Sequence, residues 1–117
     1  MNPAIQRFSR NRTGRDYVVG DIHGHFSKLG AQLRAFGFDP ATDRLFSTGD
    51  LVDRGPESAQ ALDWIRKPWF HAVRGNHEDM AIRWPAGTVD AAVYSTNGGA
   101  WNMNNPVGIQ LKIAEAL

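Results

Sequence analysis

Residues 17–24, Tyr-Val-Val-Gly-Asp-Ile-His-Gly, carry the reading from which the fold follows. Tyr17, Val18 and Val19 form a β-branched and aromatic run that stops at Gly20, the mark of a buried strand ending in a turn. Downstream, Phe26, Leu29, Leu33 and Phe36 recur at three- and four-residue steps before Gly37, which predicts an amphipathic helix with a glycine stop. Asp39-Pro40 starts a turn, and Leu45-Phe46-Ser47-Thr48 predicts a second strand running into Gly49. Gly55-Pro56 breaks the chain before a helix predicted over Glu57–Lys67, with Ala61, Leu62 and Ile65 inward and Pro68 as its stop. Trp69 to Val73 is a third apolar run ending at Gly75, followed by a short helix from about Glu78 to Trp84. The expected fold is α/β in the order βαβαβα, with parallel strands joined by right-handed crossovers. Residues 86–106, rich in Gly, Asn and small side chains, show no clear period, and Val107 to Leu117 predicts a further helix. Upstream, Arg7, Arg10, Arg12 and Arg15 lie among polar residues without core periodicity, so residues 1–15 read as an arm and 16–117 as the domain.

Composition narrows the chemistry. At 117 residues, with 42% apolar and 21% charged side chains, the chain has room for one folded domain. Thirteen basic against twelve acidic residues leave a net charge of +1, too little for a global field that would draw nucleic acid or an anionic membrane. There is no cysteine, so any metal must be held by His, Asp, Glu or Asn. No apolar run approaches the roughly 18 residues of a membrane span, and the start lacks a signal-peptide stretch. The expected location is cytoplasmic, with neither nucleic acid nor membrane as a partner.

Three polar blocks follow the three strands: Gly20-Asp21-Ile22-His23-Gly24, Gly49-Asp50-Leu51-Val52-Asp53-Arg54-Gly55 and Arg74-Gly75-Asn76-His77-Glu78. Open α/β sheets place ligands at the carboxyl ends of their strands, so the blocks are expected to meet in one crevice. Asp21 and His23 are two apart and leave an extended backbone on the same side, so both can bind one cation. Asp50 can bridge that cation to a second, to which Asn76 adds a neutral oxygen; the donor set suits manganese, iron or zinc. Two such ions roughly 3.5–4 Å apart acidify a shared water and clamp a displacement at phosphorus. Arg54 and Arg74 suit bidentate binding of phosphate oxygens. His77 is the candidate general acid, and Asp53 is placed to orient its imidazole. For Asp53 and for Arg54, each taken singly, a structural ion pair that merely pins the loop competes with these roles, and Arg74 is similarly ambiguous. His25, His71, Glu78 and the tryptophans read as capping, packing or helix-dipole residues.

The blocks resemble those of the metallophosphoesterase superfamily. The stretches GDIHG, GDLVDRGPES, PWFHAVRGNHE and NGGAW look like the phage-type bacterial serine/threonine protein phosphatases, from about Gly14 to Trp101. The resemblance implies a layered β-sandwich of which this chain supplies the N-terminal half. It also implies a hydrolase acting on phosphoserine and phosphothreonine proteins or peptides by direct attack of a metal-bridging hydroxide. Two divalent ions, manganese foremost, are the implied cofactors. Asp21, His23 and Asp50 would bind the first, Asp50 and Asn76 would begin the second, Asp53 and His77 would form the acid dyad, and Arg54 with Arg74 would hold phosphate.

Family members take two further histidines and another arginine from a C-terminal half, whereas this chain has only His23, His25, His71 and His77. The second metal site is thus expected to be incomplete, the sheet to show an uncovered apolar face, and the domain to be C-terminally truncated. Symmetrical dinucleoside tetraphosphate hydrolases share the blocks but generally carry Ala at the position of Asp53. They are the alternative enzyme reading, and a non-catalytic fragment is the alternative of another class.

Overall fold

The structure, a computed structural model, describes residues 5–117; residues 1–4 of the expected arm lie outside the described residues. Strands β1 (Asp16–Val19), β2 (Arg44–Ser47) and β3 (Phe70–Ala72) form the expected parallel sheet in the order β1-β2-β3. The register sets Tyr17 beside Leu45 and Leu45 beside Phe70, and on the opposite face Val18 beside Phe46 and Phe46 beside His71. The first face is the core face. Leu45 and Phe70 pack there with Ile22, Phe26, Leu29, Leu33, Leu51, Val52 and Ala61, all buried. The second face is open at β1, an edge strand, where Val18 is 74% exposed; the expectation of a buried first strand fails because no described element covers that face of it.

Helix α1 (Phe26–Ala35) crosses from β1 to β2 and buries Phe26, Leu29 and Leu33. Phe36, counted in the apolar stripe, is instead the C-cap residue and exposed, because the helix has stopped turning by then. Phe38, after the turn, packs against Tyr17 and Trp69. The helix predicted over Glu57–Lys67 is shorter, a 3₁₀ turn at Ser58–Gln60 leading into α2 (Ala61–Trp64). Glu57 is the N-cap residue of that turn, and its carboxylate reaches α1, where it accepts hydrogen bonds from the Ser27 N–H at 2.9 Å and from the Ser27 hydroxyl. This caps an N-terminus whose own N-cap residue, His25, makes no side-chain capping bond.

Helix α3 (Asn76–Arg83) begins two residues earlier than expected and so takes Asn76 and His77 into its first turn. Residues 86–106 are not wholly irregular: α4 (Ala91–Thr96) and α5 (Ala100–Met103) lie within them. Asp90 starts α4 by accepting from Ala92 and Val93 N–H at 2.9 and 3.1 Å. The final helix, α6 (Val107–Ala116), forms as expected and packs on α3.

The described part of the arm is tethered. Asn11 donates to Thr42 O at 2.8 Å, Arg44 reaches Ser9 O at 2.9 Å, and Phe8 packs edge-on to Phe46 and tilted against His71, with centroids 4.9 and 4.5 Å apart. Arg44 also forks onto the Asp16 carboxylate, which it holds below the ordinary carboxylate range. No helix among the described residues is long and apolar enough to cross a membrane.

Candidate metal and phosphate site

The three blocks meet at the carboxyl ends of the strands. The first two are joined backbone to backbone: Ile22 and His23 N–H donate to Asp50 O at 3.1 and 3.0 Å, and Gly24 N–H to Leu51 O at 2.8 Å. The second and third are joined by Glu78, whose buried carboxylate accepts from the N–H groups of Asp50 (2.6 Å), Leu51 (2.8 Å), Val52 (3.3 Å) and Gly75 (2.9 Å). In consequence the backbone is held where it would not settle alone. The non-glycine residues with positive φ among those described are His23 (44°), Asp50 (56°), Asp53 (73°) and Arg54 (73°), all in these blocks. Each such residue costs of order 1–3 kcal/mol and persists only where its surroundings over-determine it, as happens at functional sites.

Asp21, His23 and Asp50 each offer a ligand atom, and the three atoms lie within 4.8 Å of one another. His23 Nδ1 lies 3.0 Å from Val52 O, which can only accept, so the proton sits on Nδ1 and the Nε2 lone pair, 3.6 Å from Asp21 Oδ2, is free to ligate. The Asn76 amide rests on the Asp50 carboxylate, its nitrogen 3.0 and 3.2 Å from the two oxygens once oriented to donate; the reverse orientation presents its oxygen to the same point. Two carboxylates, a neutral imidazole and an amide form a donor set that fits a divalent cation.

Beside this group lies a buried pair. His77 Nδ1 is 2.9 Å from Asp53 Oδ2, Asp53 is fully buried, and the His77 ring stands edge-on to His23 with centroids 4.6 Å apart. Trp101 Nε1 donates to the other Asp53 oxygen at 2.6 Å. Burial pushes the Asp53 carboxyl above its ordinary range, against the pull of the Trp101 and His77 hydrogen bonds. The partner of Asp53 in the described residues is His77, while the Arg54 side chain is exposed. Behind them Asn102 donates to the Tyr94 hydroxyl at 3.0 Å, and burial pushes that phenol up to about 12.

Asp21, His23, Asp50, Asn76, Asp53 and His77 thus form one cluster. The arginines are less committed: both are exposed, Arg54 being fixed through its backbone N–H to Gly98 O at 3.2 Å, and Arg74 reaching Leu117 O at 3.4 Å. Sequence reasoning missed Glu78 and Trp101. The Gly75-to-Glu78 spacing at a helix start carried a faint capping signal for the first, and nothing local marked the second.

Comparison with known proteins agrees with this geometry. The profile of the family described as calcineurin-like phosphoesterase matches residues 15–114. Serine/threonine-protein phosphatase 1 of Salmonella typhimurium is 47% identical over 96 residues, and serine/threonine-protein phosphatase 2 of Escherichia coli is 41% identical over 96; each match covers 82% of this chain and 44% of the relative. The chain therefore spans under half the length of these relatives. The symmetrical bis(5'-nucleosyl)-tetraphosphatase of Methylococcus capsulatus is 47% identical over 64 residues, covering 53% of this chain and 23% of the relative. A crystal structure of a protein proposed as a diadenosine tetraphosphatase superposes with a TM-score of 0.63 at 28% identity, over 90% of this chain and 44% of that one. With polar blocks converging at the ends of a parallel sheet and the profile spanning nearly all of the domain, the chain belongs to the calcineurin-like phosphoesterase family, a family of metal-dependent hydrolases.

Proposed function

We propose that these residues serve a metal-dependent phosphomonoesterase acting on phosphoserine and phosphothreonine in proteins. The observation that carries the reading is the buried Asp53–His77 pair set edge-on to His23 of the ligand trio, with the rings 4.6 Å apart. Asp21, His23 and Asp50 would hold one divalent ion, and Asp50 with Asn76 would begin a second, manganese being the ion proposed. When bound, such ions offset phosphate charge and lower the pKa of a water. Asp53 ties down His77 Nδ1, so the proton that moves is the one on Nε2, delivered to the seryl or threonyl oxygen as the P–O bond breaks. Arg54 and Arg74, exposed beside the cluster, would bind the phosphate oxygens.

If His77 is the acid, His77→Asn should slow alkyl phosphates on the order of 100-fold and aryl phosphates little, because aryl leaving groups need no proton. Equal losses on both would make His77 structural. The tetraphosphatase relatives favour a second reading, a symmetrical dinucleoside tetraphosphate hydrolase. A phosphoserine peptide assayed beside diadenosine tetraphosphate separates the two by which is turned over.

For the 117-residue chain itself a further outcome is expected. Asp50 and Asn76 are the donors it brings to a second ion, and no histidine follows His77 to add to them. The chain should titrate one manganese at micromolar concentration and hydrolyse para-nitrophenyl phosphate at background, because catalysis of this class needs both ions. Two tightly bound ions with robust turnover would show that other residues complete the site.

A further inference from the structure

The segment Asn97–Asn102 is sequence-remote from all three blocks, yet it bears on the Asp53-Arg54 turn at several points. Gly98 O accepts from Arg54 N–H at 3.2 Å, and a Cβ on Gly98, whose φ is +94°, would lie 2.5 Å from that same nitrogen. A Cβ on Gly99 would lie 2.4 Å from the Tyr94 ring, so α4 and the start of α5 are closed on each other too tightly for any larger residue. Two residues on, the Trp101 indole N–H meets Asp53 Oδ1 at 2.6 Å, while Oδ2 meets His77 Nδ1 at 2.9 Å. Asp53 and Arg54 both stand at φ 73°, a conformation aspartate tolerates better than most side chains and arginine poorly. A carboxylate on such a turn has no local reason to point one way.

We propose that Trp101 is a positioning residue, which pins the outer oxygen of Asp53 so that the inner one stays on His77, with Gly98 and Gly99 allowing the approach. The inference rests on the reading of His77 as an acid only for its catalytic consequence; the positioning itself is a property of the fold. The indole is suited to the task because it donates one hydrogen bond and accepts none, so it cannot turn over and compete for the His77 proton.

The test is hydrogen exchange by NMR on the 117-residue chain with ¹⁵N-labelled histidine and tryptophan. In the unaltered protein the Trp101 Nε1–H should exchange at least about tenfold more slowly than a free indole, as expected of a bond to a buried carboxylate. In Trp101→Phe, which keeps the ring, the His77 Nδ1–H should exchange about tenfold faster, while the His23 Nδ1–H held by Val52 O stays at its original rate. An unprotected Trp101 N–H in the unaltered protein overturns the proposal even where the variant does not fold. So does a His77 signal unmoved by the substitution. In a form that turns over, Trp101→Phe should lower kcat on alkyl phosphates about tenfold more than on aryl phosphates, with KM unchanged. In a form extended to the length of its relatives and saturated with both ions, absence of turnover on every phosphomonoester would count against the phosphatase reading alone, and the exchange rates would still decide this one.

Discussion

Replacing Asp50 by alanine is expected to remove manganese binding at micromolar concentration and, in a form that turns over, to lower turnover on the order of 1000-fold or more. Asp50 is a member of the ligand trio, its carboxylate lies against the Asn76 amide, and Asp50 Oδ1 also accepts the His77 backbone N–H at 3.1 Å. One substitution therefore strips a donor from both candidate ion positions and loosens the start of α3. Its backbone stands at φ 56°, which alanine tolerates less well than aspartate, so folding must be separated from ligation. Asp50→Asn makes that separation, since asparagine accepts this conformation and keeps one oxygen but loses the charge. Isothermal titration with manganese, with circular dichroism as the folding control, reads both variants. Metal affinity in Asp50→Ala equal to that of the unaltered chain would remove Asp50 from the site.

Glu78→Ala should be the most destabilising substitution in the blocks, by about 3 kcal/mol or more. The Glu78 carboxylate is buried and accepts N–H groups from Asp50, Leu51, Val52 and Gly75. Alanine leaves donors on two strand-end loops without an acceptor, at a cost of roughly 1–3 kcal/mol for each that stays buried and unpaired. It also removes a negative charge from the N-terminal turn of α3, where the helix dipole favours it. A melting temperature about 10 °C lower is expected for a domain of this size. Manganese affinity should fall about 10- to 100-fold, because the Asp50 loop loses the anchor that orients its ligand. Glutamine is expected to rescue poorly, since its amide N–H₂ would face N–H donors. A melting temperature within about 2 °C of the unaltered chain would show that water or rearranged backbone satisfies those groups.

Much of the domain is legible in its residues because the signals are local. An apolar run ended by glycine marks β1, β2 and β3, and the spacing of Phe26, Leu29 and Leu33 marks α1. Asp21, His23, Asp50, Asp53, Asn76 and His77 could be nominated because each follows a strand, and the parallel sheet brings those strand ends together. Helices α4 and α5 were harder to see. They are short, their stretch is rich in glycine and asparagine, and they are held by Asp90 and by the Tyr94–Asn102 bond rather than by an apolar stripe.

By itself the sequence determined the order of the elements from β1 to α3, the parallel sheet and the side chains that can meet at the ends of its strands, since periodicity, breakers and donor chemistry act within a few residues. Only the tertiary structure decided how those side chains are held. Glu78 collects donors 26 to 28 residues away on the Asp50 loop, and Trp101 reaches Asp53 across 48 residues. Four non-glycine residues among those described stand at positive φ, in turns held by bonds such as these between the blocks. Val18 lies open to solvent because no described element covers its face of β1, which its own apolar run could not reveal. Such bonds are made between segments whose approach is set by core packing, and no pattern confined to one segment encodes the distance to another.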